Sequence, residues 1–123
     1  MAKTEVIYFQ EDDGVVPLIE WFDGLHSKVV QKCQAKLARL EQMGHELRRP
    51  EADYLRDDIY ELRASYQGVH YRMLYFFQAR SAVVVSHGLA KERAVPPREI
   101  DLAVKRKEQF ETDPNAHTFK ATR

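Results

Sequence analysis

The sequence predicts a small α+β domain in the order β-α-α-β-β-β-α, an antiparallel sheet packed by a helical hairpin and a C-terminal helix. Three observations lead there. Between Ile59 and His87 three β-branched and aromatic runs follow one another, separated only by short polar breaks. Ahead of them, two stretches carry apolar residues at three- and four-residue spacing. Behind them, a basic stretch opening at Pro96-Pro97 keeps the same helical period to about Phe110. At 123 residues the chain is sized for one core.

Glu5–Gln10 (EVIYFQ) reads as the first strand, closed by a turn at Glu11-Asp12-Asp13-Gly14. Pro17 suits the first turn of a short helix carrying Leu18, Ile19, Trp21, Phe22 and Leu25, with Gly24 near its end. Ser27 is the expected N-cap of the next helix, whose buried stripe is Val29, Val30, Cys33, Leu37, Leu40 and Met43. Lys28, Lys32, Lys36 and Arg39 fall on its solvated side, and Gly44 stops it. His45 to Asp58, with Pro50 and many charges, reads as loop.

The second, third and fourth strands are Ile59–Ser65, Val69–Gln78 and Ala82–His87, with hairpin breaks at Gln67-Gly68 and Gln78-Ala79-Arg80-Ser81. The last helix should bury Ile100, Ala103, Val104 and Phe110. The domain is expected to span 1–111, and residues 112–123, which lack periodicity, are expected to form a flexible tail.

Composition sets limits on function. With 44% hydrophobic and 31% charged residues the chain is neither disordered nor fibrous. The single cysteine, Cys33, excludes an internal disulfide and reads as a buried thiol. No apolar run approaches the ~20 residues of a membrane span, and no apolar segment follows the N-terminal lysine, so a cytoplasmic protein is expected. Net charge is zero but divided. Residues 1–62 hold 8 Lys/Arg against 13 Asp/Glu, whereas residues 63–123 hold 11 against 6. Zinc-ligand spacing, a Gly-rich phosphate loop and a Ser-His-Asp order are all missing from the sequence.

Alternation assigns the faces of the strands. Ile59, Glu61, Arg63 and Ser65 share one face, as do His70, Arg72, Leu74 and Phe76. The third strand carries large apolar groups on both sides and so belongs in the middle of the sheet. A central arginine is costly to bury alone. Arg72 therefore either pairs with Glu61 across the strands or faces an open concave surface. Beyond the fourth strand, His87, Lys91, Glu92 and Arg93 bring cations to the sheet end, where with Arg63 and Arg72 they can clamp a phosphate. The bland alternative is a solvated charged loop. His87 and His70 each read as either a structural histidine or a proton-transfer group.

Three segments together resemble a known family. YELR (Tyr60–Arg63) with YRMLYFF (Tyr71–Phe77), then VVVSHGLAKERAVPP (Val83–Pro97), then REIDLAVKRKEQF (Arg98–Phe110) follow the order and spacing of the RelE/ParE superfamily of type II toxin–antitoxin toxins. The phage-related HigB-like toxins are the branch most resembled, over about Leu55 to Phe110. The resemblance implies a RelE-like domain and a ribosome-dependent mRNA endoribonuclease, an mRNA interferase that inhibits translation. In that chemistry the RNA 2′-hydroxyl attacks the adjacent phosphate, with no metal or cofactor.

By motif position it implies phosphate stabilisation by Arg72 with Arg63 beside it. Proton transfer or charge stabilisation falls to Lys91, Arg93 and, more weakly, His87. Tyr71 or Tyr66 offers a stacking surface for a base, although packing is the commoner role of such a tyrosine. RNA contacts would come from Arg63, Tyr71, Arg72, Lys91 and Arg93. The implied partners are mRNA on the ribosome and a cognate antitoxin, commonly a helix-turn-helix protein, with no membrane. Glu92 and Val95 stand where the family usually has lysines, which lowers the positive charge of the loop. The alternative reading is a ParE-like non-nuclease toxin, or an inactive phage-derived homologue, acting only through protein binding.

Overall fold

The computed structural model describes residues 3–79, 81–90 and 93–121. In chain order the elements are β1 (Glu5–Phe9), α1 (Pro17–Asp23), α2 (Ser27–Met43), β2 (Ala52–Arg56), β3 (Ile59–Tyr66), β4 (Val69–Gln78), β5 (Ala82–Ala90), α3 (Pro97–Thr112) and β6 (Thr118–Phe119). They build one mixed sheet in the order β2-β3-β4-β5-β1-β6.

The meander β3-β4-β5 is antiparallel, with Arg63 opposite Arg72 and Ala64 opposite Tyr71. Gln67 and Gly68 both adopt positive φ, the backbone of a two-residue hairpin turn. The sheet as a whole is not antiparallel, because β1 lies parallel to β5. Ile7 and Phe9 are buried on one side of β1 and Tyr8 on the other, as a parallel strand inside the sheet requires.

Two further strands occupy stretches expected to be irregular. Within the stretch expected to be loop, β2 pairs antiparallel with β3 through a two-residue turn at Asp57-Asp58, both at positive φ. A strand this short and charged carries no period to read. Its outward N–H groups are occupied within the chain, Ala52 donating to Arg48 O and Tyr54 to Asp53 Oδ1, which makes it a poor template for another strand. After α3, a 3₁₀ turn at Pro114–His117 leads into β6 on the outer edge of β1. These residues pack rather than fray: His117 is buried, stacks on Phe9 at 4.9 Å between centroids and meets Gln10 O through Nδ1 at 2.8 Å.

Both faces of the sheet are covered, by different helices. The hairpin α1-α2 lays Leu18, Val29, Cys33, Leu37 and Leu40 on Leu62, Met73, Tyr75, Val83 and Val85. Burial pushes the Cys33 thiol up to about 11, consistent with an inert core residue. On the other face, α3 sets Ile100, Ala103 and Phe110 against Ile7, Phe9, Ile59, Leu74, Phe76 and Val84. Among the described residues no helix is long and apolar enough to cross a membrane.

One cap differs from expectation. The α2 N-cap is His26, whose Nδ1 accepts the Lys28 N–H at 3.1 Å, and Ser27 is the first helical residue. Close approach of α1 to β5 depends on Gly88, where an added Cβ would overlap the Trp21 ring. Gly88→Ala is therefore expected to destabilise the fold by about 1–3 kcal/mol, read from the urea unfolding midpoint; an unchanged midpoint would show that α1 can shift freely.

Candidate functional site

The face under α3 changes character along β3 and β4. Ile59, Leu74 and Phe76 are covered by the helix. Farther along the same face stand Glu61, Arg63, His70 and Arg72. Arg63 and Arg72 face each other directly across the two strands, an arrangement of like charges that is unfavourable without a counter-charge. Glu61 supplies it. Its Oε2 lies 2.9 Å from Arg63 Nη2, and its Oε1 lies 2.8 Å from Arg72 Nε.

Of the two alternatives for Arg72, the structure supports the pairing with Glu61. Its side chain keeps 13% exposure, that of Arg63 36% and that of Glu61 only 6%. Hydrogen bonding to Glu61 raises the Arg63 pKa above its ordinary value against the opposing effect of burial.

The network continues at both ends. Arg63 Nη2 also reaches Asp53 Oδ2 at 3.2 Å, and the exposed Arg49 reaches the same oxygen at 2.9 Å. Arg72 Nη1 donates to the carbonyl of Arg93. Three guanidiniums and two carboxylates therefore leave one positive charge in excess. Arg63 Nε is buried and has no acceptor among the described residues.

The structure brings together Arg63, Arg72 and the backbone of Arg93, but not the rest of the expected set. Lys91 and Glu92 lie outside the described residues. Tyr71 is on the opposite face, 6.2 Å from Trp21 between ring centroids, so it packs under α1 and offers no base platform beside Arg72. His87 does not end the strand or stand in a loop. It is buried inside β5 at a register shift in which Leu74 pairs with His87 and Tyr75 with Val85. That bulge turns both Ser86 and His87 towards α3.

Ser86 Oγ lies 2.7 Å from His87 Nδ1, and His87 Nε2 lies 2.9 Å from Glu99 Oε1. Arg106 reaches Ser86 Oγ at 3.5 Å and Glu11 Oε2 at 3.2 Å. Despite its Ser-His-Glu composition, this chain of contacts is closed to solvent at Ser86 and joins α3 to the sheet. Arg106 could have been found in sequence, three residues after Ala103 and four before Phe110 on the buried face. Asp53 could not, because β2 is short and charged and carries no period.

Comparison with family models matches residues 20–108 to the family described as Phage derived protein Gp49-like (DUF891). The match takes in the second half of α1, all of α2, the meander and most of α3. The chain belongs to this Gp49-like family. Gp49-like proteins are RelE/ParE-like toxins, which places the chain in that broad superfamily. Comparison with curated proteins returns no match.

The buried histidine of this Gp49-like chain gives a pH test. Burial lowers the His87 pKa below the ordinary 6.5; Arg106 acts in the same direction, and the Glu99 contact opposes them. The unfolded chain then binds a proton that the folded chain refuses. Stability from this site is complete above about 6.5 and declines as pH falls. Relative to His87→Gln, wild type should lose stability between pH 7.5 and 5.5 in urea unfolding. A difference that does not change with pH would contradict this assignment.

Proposed function

We propose that this protein is the toxin of a type II toxin–antitoxin module and cuts ribosome-bound mRNA without a metal. The observation that supports this reading most is the opposed Arg63–Arg72 pair, aligned by one shared carboxylate, with Arg63 lining an open cleft. Two guanidiniums held on one side suit a phosphodiester whose non-bridging oxygens gain charge.

In the proposed reaction the RNA 2′-oxygen attacks the adjacent phosphorus and gives up its proton. The bond from phosphorus to the 5′-oxygen breaks, and that oxygen takes up a proton. The products are a cyclic 2′,3′-phosphate and a free 5′-hydroxyl. Arg72, anchored by Glu61 and the Arg93 carbonyl, would bind one non-bridging oxygen, and the more exposed Arg63 would bind the other. Lys91 and Arg93 are the loop groups assigned to proton transfer and charge stabilisation. The exposed His70, on the same face, is a further candidate proton acceptor. His87, buried against Glu99, receives no chemical step.

A second reading has its own support. Both arginines already hold carboxylates, and the whole chain carries no net formal charge. These features also suit a toxin that acts by binding a protein and uses the network only to keep its sheet together. The cognate antitoxin is a partner under either reading.

Mapping mRNA 5′ ends after incubating folded, antitoxin-free protein with translating ribosomes separates the two. The nuclease reading expects new ends inside reading frames, reduced about 10²–10³-fold by Arg72→Ala. Intact mRNA with wild-type protein that still arrests growth would overturn it and favour protein binding.

A further inference from the structure

We propose that a basic track on α2, continued through the cleft beside it, binds single-stranded RNA and leads it to the arginine pair. The inference rests on the reading that a phosphodiester occupies Arg63 and Arg72. It adds a separate binding site, and three contacts join the parts of that site.

The first part is a row of cations. Lys28, Lys32 and Lys36 recur every four residues along α2, about 6 Å apart on one side of the helix. Arg39 continues the row. Against these four cations stands Glu51, which takes Lys36 at 3.1 Å and Arg39 at 3.0 Å and whose carboxyl those bonds hold down at about 2. The row keeps a clear positive excess, and Lys28 and Lys32 are exposed.

The second part is aromatic. Tyr66, at the end of β3, stacks on His26 with 6.2 Å between centroids and 21° between planes. Lys32 Nζ sits 6.0 Å from the Tyr66 ring. The His26 ring is fixed by its bond from Lys28 N–H, so platform and cation are held at the same helix start. A half-exposed stacked pair beside a line of lysines is the combination that takes up single strands without reading sequence.

The third part is the passage to the arginines. Along β3, pairing with β2 stops at Leu62, and the Arg63 N–H closes that side by donating to Glu51 O at 2.8 Å. Beyond this point β3 is an edge. An open cleft of about 370 Å³ lies there, lined by Lys36, Glu51, Arg63, Ser65 and His70 among others. It carries the surface from the α2 side of the sheet, around the strand edge, to the face that holds Arg72. The path therefore runs from the Tyr66–His26 platform past Lys32 and Lys36 into the cleft, and then to Arg63 and Arg72.

The test uses the full chain and a fluorescent single-stranded RNA of ten nucleotides, 2′-O-methylated to block cleavage, with anisotropy read over a salt series. Lys28→Glu with Lys32→Glu is expected to weaken binding at least tenfold and to lower the slope of log affinity against log salt by more than one. Tyr66→Ala should weaken single-strand binding roughly tenfold. Because Tyr66 also packs on the core, the charge-reversal pair, on exposed positions, gives the answer if Tyr66→Ala unfolds. Wild-type affinity in the charge-reversal variant would overturn the track. So would equal affinity for a duplex, or binding of an acidic peptide but no RNA.

The underlying reading fails differently. If the nuclease assignment is wrong and the track is right, single-stranded RNA still binds with the expected salt and Tyr66 dependence, but ribosome-bound mRNA stays whole. If only the track is wrong, Arg72-dependent cleavage persists while the α2 variant binds RNA normally.

Discussion

Glu61 bound to two guanidiniums is the contact on which the open corner of the sheet depends. Register forces Arg63 and Arg72 opposite each other on neighbouring strands, where like charges repel. A single carboxylate between them turns a repulsive pair into a bridged one. Leaving the Arg72 guanidinium, only 13% exposed, without it would cost on the order of 3–5 kcal/mol. Around this contact the fold changes from packing to polar contacts. β2 exists beside β3 and brings Asp53 to Arg63, while Arg72 reaches the backbone of Arg93.

The same contact decides how the corner can act. Carboxylates that hold the arginines still also compete with any phosphate that approaches. With one positive charge in excess across Arg49, Asp53, Glu61, Arg63 and Arg72, the site is pre-ordered and only moderately attractive. Under the proposed nuclease reading, such pre-ordering would favour a developing transition-state charge over a ground-state anion, because no side chain would have to be reorganised at the moment of reaction. Under the same reading, the positive row on α2 would supply affinity for a strand through contacts away from the reacting phosphate.

Much of the fold was legible because each of its strong patterns is local. Alternation in YELR and YRMLYFF assigned Glu61, Arg63 and Arg72 to one face correctly, and the Gln67-Gly68 hairpin set the register that opposes the arginines. What local pattern cannot carry is the pairing of distant segments. The parallel pairing of β1 with β5 and the two-residue β6 depend on strands remote in sequence, and β2, although only a two-residue turn from β3, is too short and charged to show a period. The bulge at Ser86–His87 breaks strict alternation, which is why His87 reads as a strand-end group and is instead buried against Glu99. Alternation puts Tyr71 on the face away from Arg72, where it packs against Trp21.

The most direct test of the central claim follows the guanidinium N–H resonances of Arg63 and Arg72 during titration with a 2′-O-methyl dinucleotide. The account predicts that both sets of signals move together and saturate at one midpoint, and that Arg72→Ala removes the response of Arg63. Signals that stay in place at concentrations sufficient to occupy the protein would show that the Glu61-bridged pair is a structural ion network and that phosphate is handled elsewhere, if at all.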